Sequence, residues 1–333
     1  MGEFELIRRH FERPGVKLPH DVVLGVGDDG ALLRPEPGHE LAVSTDMLVQ
    51  DLHFFARVDA AALGHKALAV NLSDLAAMGA RPLGFTLAIA LPEADDAWLT
   101  DFARGLFALA DAHACPLVGG DTTRGPLNIC ITVFGQVRAG RALRRAAARV
   151  GDDLYLSGRT GEARLALEHQ RGTAWAAGAT GSGLRERLER PAPRNALGVA
   201  LAGVEGAHAA IDVSDGLAGD LGHILAASQV GAEIDLVALP VAPALAALPE
   251  AERFECLLAG GDDYELLFTA APDARDAVQA AAQACGTPVT RIGRITAGAG
   301  LRLLDAQGQA QSLRMQGFDH FAQGPHPDET PGR

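Results

Sequence analysis

The chain has 333 residues, 48% of them hydrophobic and 21% charged. This composition excludes a disordered polymer and leaves room for two ordinary domains. A net charge of −13 argues against nucleic acid as a partner, since phosphate contacts need clustered cations.

No apolar run approaches the ~20 residues of a membrane helix. The N-terminal MGEFELIRRHF is amphipathic and lacks the apolar core of a signal peptide, so cytoplasmic residence is expected. Residues 39–46 (HELAVSTD) read as a short strand ending in polar residues. Residues 59–82 read as a helix: Asp59 can cap it, Leu63, Ala67 and Val70 repeat at helical spacing, and Gly79 and Pro82 stop it. In PLGFTLAIALP, Leu83, Phe85, Leu87, Ile89 and Leu91 fall on one face of a strand. The small residues Gly84, Thr86, Ala88 and Ala90 fall on the other and suggest close packing against a helix or a second sheet. Residues 93–113 form a second amphipathic helix, and LNICITVFGQV alternates again.

The pattern loosens at residues 140–152, a small, basic stretch that marks a domain boundary. Strands resume at DLYLSG, AHAAID, GAEIDLVAL, YELLFTA and PVTRIGRIT, with helices over 217–227 and 273–285. The expectation is an α/β (α+β) protein with an N-terminal domain over 1–138, a C-terminal domain over 147–322 and a frayed tail over 323–333. The four cysteines, Cys115, Cys130, Cys256 and Cys285, form no CxxC pair. They read as buried thiols rather than a zinc site or disulfide framework.

The distinctive feature is a set of acidic turns: GVGDDG at 25–30, STDM at 44–47, NLSDLAAMGA at 71–80, GGDTTRG at 119–125, DVSDG at 212–216 and GGDDYEL at 260–266. Any one could be a helix cap or an ordinary turn. Together they place short carboxylates at element ends, where several loops can converge on one site. Crowded carboxylates raise each other's pKa unless cations neutralise them. Magnesium suits such a site, because it takes oxygen ligands from one or two carboxylates plus substrate phosphates. No GxxxxGK[ST] loop and no protein-kinase signature occurs, and GVGDDG lacks the spacing of a dinucleotide loop.

GVGDDGALL, STDMLVQDLHF, KALAVNLSDLAAMGARP, GGDTTRGP, IDVSDGLAGDLGHI and GGDDYELLF, in that order, resemble the thiamine-monophosphate kinases of the aminoimidazole-ribonucleotide synthetase-like superfamily. The resemblance runs from GEFELI to GFDHF, nearly the whole chain. It implies two α/β domains, a homodimer paired through the N-terminal domains, and transfer of the ATP γ-phosphoryl group to thiamine monophosphate with Mg2+. Carried over by position, Asp29, Asp46, Asp74, Asp121, Asp212 and Asp215 are implied metal ligands, with Ser44 and Thr45 adding oxygens beside Asp46. Gly120, Asp121, Arg145 and Ser214 are implied to meet ATP, with Arg144 an alternative to Arg145. His53, Asp262, Asp263 and Phe318 are implied to meet thiamine monophosphate. Asp262 stands where the family more often has Glu. Asp28 could orient its neighbour.

No covalent intermediate is expected, because the acceptor phosphate is already an anion. Without the resemblance, His53 reads as a loop histidine, Phe318 as a docking anchor and Lys66 as a solvated stem, with reach to a phosphate as its alternative. Asp95–Asp96 and Asp152–Asp153 read as surface pairs or caps. Two alternatives share the acidic loops: another ATP-dependent synthetase of the superfamily, and a non-catalytic nucleotide-binding maturation protein. The second would end in a modifiable cysteine, whereas this chain ends ETPGR.

Overall fold

The computed structural model describes residues 2–179 and 182–311. Phe318 and the tail lie outside them. After helix α1 (Glu3–His10) comes a two-stranded ribbon, β1 (Val22–Leu24) with β2 (Leu32–Leu33). Then follow β3 (His39–Val49), α2 (Ala60–Ala77), β4 (Arg81–Leu91), α3 (Asp96–Ala112), β5 (Leu117–Arg124) and β6 (Asn128–Arg138). The four long strands form one mixed sheet in the order β3-β6-β4-β5.

Helix α2 starts where the sequence places it. Asp59 accepts a hydrogen bond from Ala62 N–H at 2.8 Å, satisfying one of the orphan donors of the first turn. The helix is buried nearly all round, because the sheet lies on one side and α3 on another. Alanine and glycine make that possible. A Cβ on Gly105 of α3 would sit 1.8 Å from the Ala61 carbonyl oxygen. Gly105→Ala is therefore expected to force the two helices apart and cost about 1–3 kcal/mol, read as a lowered denaturant midpoint. An unchanged midpoint would contradict the packing.

The large face of β4 (Leu83, Phe85, Leu87, Ile89, Leu91) is buried. Its small face is covered at Gly84 but opens further along: Ala88 is exposed, and on β3 so are Leu41, Val43 and Met47, each at 50% or more.

The second half contains β7 (Asp153–Ser157), α4 (Glu162–Gln170), α5 (Ser182–Glu189), α6 (Asn195–Gly203), β8 (Ala207–Asp212), α7 (Leu217–Ser228) and β9 (Gly231–Asp235). After the short helices α8 (Pro243–Ala246) and α9 (Glu250–Phe254) come β10 (Leu266–Ala270), α10 (Arg275–Ala284), β11 (Val289–Thr296), β12 (Gly300–Leu304) and β13 (Ala310–Gln311). Seven strands pair in the order β13-β12-β9-β11-β7-β10-β8. Helices α4, α5 and α6 were not legible as separate elements in the sequence.

The two halves meet along α2. Asn195 Nδ2 donates to Leu72 O at 2.8 Å, and the Glu265 carboxylate, 0% exposed, is held by Arg194 at 2.5 and 2.7 Å and by Ser157 Oγ at 2.6 Å. These bonds and charges hold Glu265 below the usual carboxylate range despite its burial. Of the acidic pairs read as peripheral, Asp95 does cap α3 through Ala97 N–H and Trp98 N–H. Asp152 and Asp153 instead are 3% exposed. They pair with His208 and with Arg275 and Arg291, because the strand start that carries them is covered by neighbouring chain.

Candidate active site

Asp46 and Asp74 come together because β3 packs against the C-terminal half of α2. Strand alternation sends Ser44 and Asp46 to the side that faces the helix. There Ser44 Oγ donates to Asp74 Oδ2 at 2.5 Å, and Asp46 N–H donates to Asn71 Oδ1 at 2.9 Å. Asn71 and Asp74 are one helical turn apart and share a face. Asp212 arrives from the other half, at the end of β8, where it is 5% exposed.

Beyond Asp212 the chain turns through Ser214 and Asp215. Asp220, in the first turn of α7, accepts from the N–H groups of Ser214, Asp215 and Gly216 at 3.1, 3.1 and 3.2 Å. The turn at 260–265 lies against this one: Asp262 N–H donates to Ser214 O and Tyr264 N–H to Val213 O, both at 2.8 Å. Asp262 and Tyr264 have φ of 65° and 51°, a left-handed backbone that costs about 1–3 kcal/mol at such residues. The strain buys one result: Asp262 Oδ1 reaches Lys66 Nζ of α2 at 2.7 Å.

These groups line a cleft of about 700 Å³. Its lining combines the polar groups Asp46, Asp74, Asp212, Ser214, Asp215, Asp262 and Lys66 with the apolar Leu52, Phe54, Phe55, Val58, Leu63, Leu167 and Leu188, and with Arg164 and Arg171. His53 also lines the cleft. Its Nδ1 accepts from Val49 N–H at 3.0 Å.

The carboxylates repel one another. Burial, then the charges of Asp74 and Asp215, push Asp46 up to about 6. Burial and the charges of Asp74, Asp220 and Asp46 push Asp212 up to about 8. Burial raises Asp74 too, opposed by the Ser44 hydrogen bond and the Arg145 charge. Among the described residues, no three of these carboxylates bring ligand oxygens within 4.8 Å of one another. An ion among them would therefore draw part of its shell from a ligand's own oxygens, which is how magnesium is usually held.

The other sequence-expected residues are placed differently. Thr45 also lines the cleft, but strand alternation turns its side chain to the face opposite Asp46, where its Oγ1 bonds Thr132 Oγ1 at 2.8 Å. Asp263 is fully turned inward, accepting from Gly161 N–H at 2.9 and 3.0 Å. It anchors the turn, and Asp262 is the member of the pair that faces the cleft. Asp29 sits in an exposed turn, its N–H donating to Asp28 Oδ1 at 2.8 Å, away from the cleft lining.

Gly120 stands in the same row across the sheet as Asp46, through Ile131 and Leu87. A Cβ there would sit 1.9 Å from Leu87 O, so only glycine fits. Asp121 shares its row with Ala88, Cys130 and Met47, which places it on the open face of the sheet, opposite Asp46. Arg145 is exposed, but it is the arginine whose charge acts on Asp74.

Lys66 is the largest departure from the sequence reading. It is 5% exposed and ion-paired, not a solvated stem, because α2 is buried on every side. Its solitude in an alanine- and leucine-rich helix was the available signal. Asn71 and Asp220 were also missed; both lie inside quoted motifs but act by holding backbone.

The AIR synthase related protein N-terminal and C-terminal domain families match residues 27–137 and 149–306. The thiamine-monophosphate kinase of Escherichia coli K12 is 45% identical over 96% of this chain and 98% of its own length. The crystal structure of the thiamine-monophosphate kinase from Stenotrophomonas maltophilia K279a superposes with a TM-score of 0.81 at 48% identity, over 92% of this chain and 96% of that one. A structure of AaThiL complexed with AMPPCP and TMP superposes at 0.73 with 26% identity, over 96% of both chains.

Proposed function

Because this chain belongs to the thiamine-monophosphate kinases of the AIR synthase related family, we propose that its acidic cleft aligns the phosphate of thiamine monophosphate with the γ-phosphate of ATP. The enzyme phosphorylates thiamine monophosphate with ATP as the donor. An oxygen of the acceptor phosphate attacks the γ-phosphorus, the bond to the β–γ bridging oxygen breaks, and thiamine diphosphate and ADP result. Such transfer has a loose transition state, so alignment and charge neutralisation do most of the work. The convergence of Asp46, Asp74 and Asp212 from two halves of the chain on one cleft carries this reading.

The donor set fits magnesium: oxygen atoms only, three of them on carboxylates whose pKa values are raised by burial and mutual repulsion. Asp46, Asp74, Asp212 and Asp215 would hold the ions, with Ser44 orienting Asp74. When bound, magnesium supplies the positive charge that lets two phosphate groups approach. Lys66, fixed by Asp262, directs a second positive charge into the same cleft. Ser214, in the cleft lining, and Arg145, whose charge acts on Asp74, would meet the nucleotide's phosphates. The apolar wall from Leu52 to Leu63, with His53, suits the flat thiamine rings.

The open face of the N-terminal sheet supports a homodimer. Leu41, Val43 and Met47 are 50%, 54% and 53% exposed beside the small face of β4, an apolar strip that a second sheet would cover. A partner's sheet there would also put Asp121 and Gly120 at the junction of two protomers, which gives Asp121 a route to a site that its own strand denies it. The division into domains at 1–138 and 147–322 is supported by the spans of the two family matches. A kinase fed by ATP fits the expected cytoplasmic residence.

Purified protein with ATP, Mg2+ and thiamine monophosphate is expected to release ADP and thiamine diphosphate in equal amounts on chromatography. ATP hydrolysis without thiamine diphosphate would contradict the proposal and favour a synthetase.

The raised carboxylates make a second expectation. A carboxylate with a folded pKa above its unfolded value stabilises the protein below the unfolded pKa and loses that contribution as pH rises through the folded value. For Asp46 and Asp212 the loss spans the interval from the ordinary carboxylate range, near 4, to about 6 and about 8. Metal-free protein should thus lose stability from these groups across that interval. Mg2+ should raise Tm more at pH 8 than at pH 5. An equal rise at both would contradict metal binding at these carboxylates.

A further inference from the structure

A second cluster of ligand-type side chains lies away from the cleft. His20 and Asp21, just ahead of β1, meet Glu36 from the turn before β3, with one ligand atom of each within 4.8 Å of the others. Asp21 is 1% exposed. Its Oδ2 accepts from Arg81 Nη2 at 2.9 Å. Its Oδ1 is buried and accepts no hydrogen bond, although His20 Nε2 lies 2.8 Å away.

A buried carboxylate oxygen that accepts no hydrogen bond is costly. An imidazole nitrogen that close, yet not aligned to donate, has the arrangement of two ligands sharing one cation. Arg81 Nη2 also donates to Glu36 Oε1 at 2.8 Å. The guanidinium thus holds one oxygen of each carboxylate and leaves Asp21 Oδ1 and Glu36 Oε2 for an ion, as outer partners of metal ligands do. His39 Nε2 stands 4.0 Å from Glu36 Oε2, within reach as a fourth donor.

We propose that His20, Asp21 and Glu36 form a binding site for a zinc-class divalent ion, with His39 beside it. An imidazole joined to two carboxylates suits Zn2+ or Co2+ rather than Mg2+, which takes oxygen ligands. The side chain of His20 is 80% exposed, so the ion enters from solvent. The site is separate from the cleft: His39 and Asp46 lie seven residues apart on β3, about 24 Å at ~3.4 Å per residue. An ion there would clamp the segment ahead of β1 to the start of the main sheet.

The test uses full-length protein in millimolar Mg2+, with Zn2+ measured by equilibrium dialysis and Co2+ by its visible absorption. Wild type is expected to take up Zn2+ and to show cobalt ligand-field bands, and Asp46→Asn to keep both. His20→Ala, a change at an exposed side chain, should weaken Zn2+ binding by about tenfold or more and abolish the bands. Its zinc-free kinase turnover should match wild type. Wild-type affinity retained in His20→Ala, loss of the bands in Asp46→Asn instead, or no bands in wild type would each overturn the proposal.

Discussion

Asp74→Asn is expected to lower kcat by about 10²–10³-fold, the usual cost of losing one electrostatic partner of a transition state, while Asp95→Asn changes it by about twofold or less. The two substitutions are chemically identical and differ only in place. Asp74 faces Asp46 and Asp212 in the cleft and is oriented by Ser44. Asp95 caps α3, a task that asparagine performs equally well. Asp74→Asn should not destabilise the metal-free protein, because it removes one of several mutually repelling charges. A lower kcat with unchanged or raised Tm, and a weaker response to Mg2+, would separate loss of a ligand from loss of fold. Equal kcat for the two variants would remove Asp74 from the site.

Lys66→Met is expected to lower kcat/KM by about 10²-fold or more. Methionine is close in length and tolerated in cores, so packing along α2 survives. What is lost is a cation that the fold holds in the cleft against Asp262 at 2.7 Å. Among the described residues, the Asp262 carboxylate then keeps only the Tyr264 Oη hydrogen bond at 3.3 Å; its side chain is 30% exposed, so water offsets part of the loss and the stability cost is about 1 kcal/mol. Adding Asp262→Asn should recover that stability without recovering activity. Recovery of both would make the pair a structural contact; recovery of neither would point to a packing fault.

The sequence was most readable where chemistry and local geometry coincide. Asp59 and Gly79 bracket α2 because capping is local, and β4 alternates because one of its faces is buried. The cleft carboxylates were legible as types from their motifs, although only Asp212, Asp215 and Asp262 sit at element ends or in turns, while Asp46 lies within β3 and Asp74 within α2. Their facing was not. Thr45 and Asp121 carry suitable oxygens in suitable motifs, yet strand pleat turns both to the open face. Asp262 and Asp263 are adjacent and identical in sequence; a left-handed φ at Asp262 sends one to Lys66 and the other to Gly161. Lys66 looked solvated because helical periodicity reports one buried face, and α2 has partners on all sides. Helices α4 to α6 follow glycine-rich, weakly periodic sequence, so their packing, not their pattern, defines them.

Crystals grown with Mn2+, AMPPCP and thiamine monophosphate, read by anomalous scattering, put the account at greatest risk. Manganese peaks bonded to oxygens of Asp46, Asp74 or Asp212 and also to the nucleotide's terminal phosphate, with the thiamine phosphate alongside, are the predicted result. Manganese on separate surfaces, or a triphosphate tail lying away from all three aspartates, would contradict it.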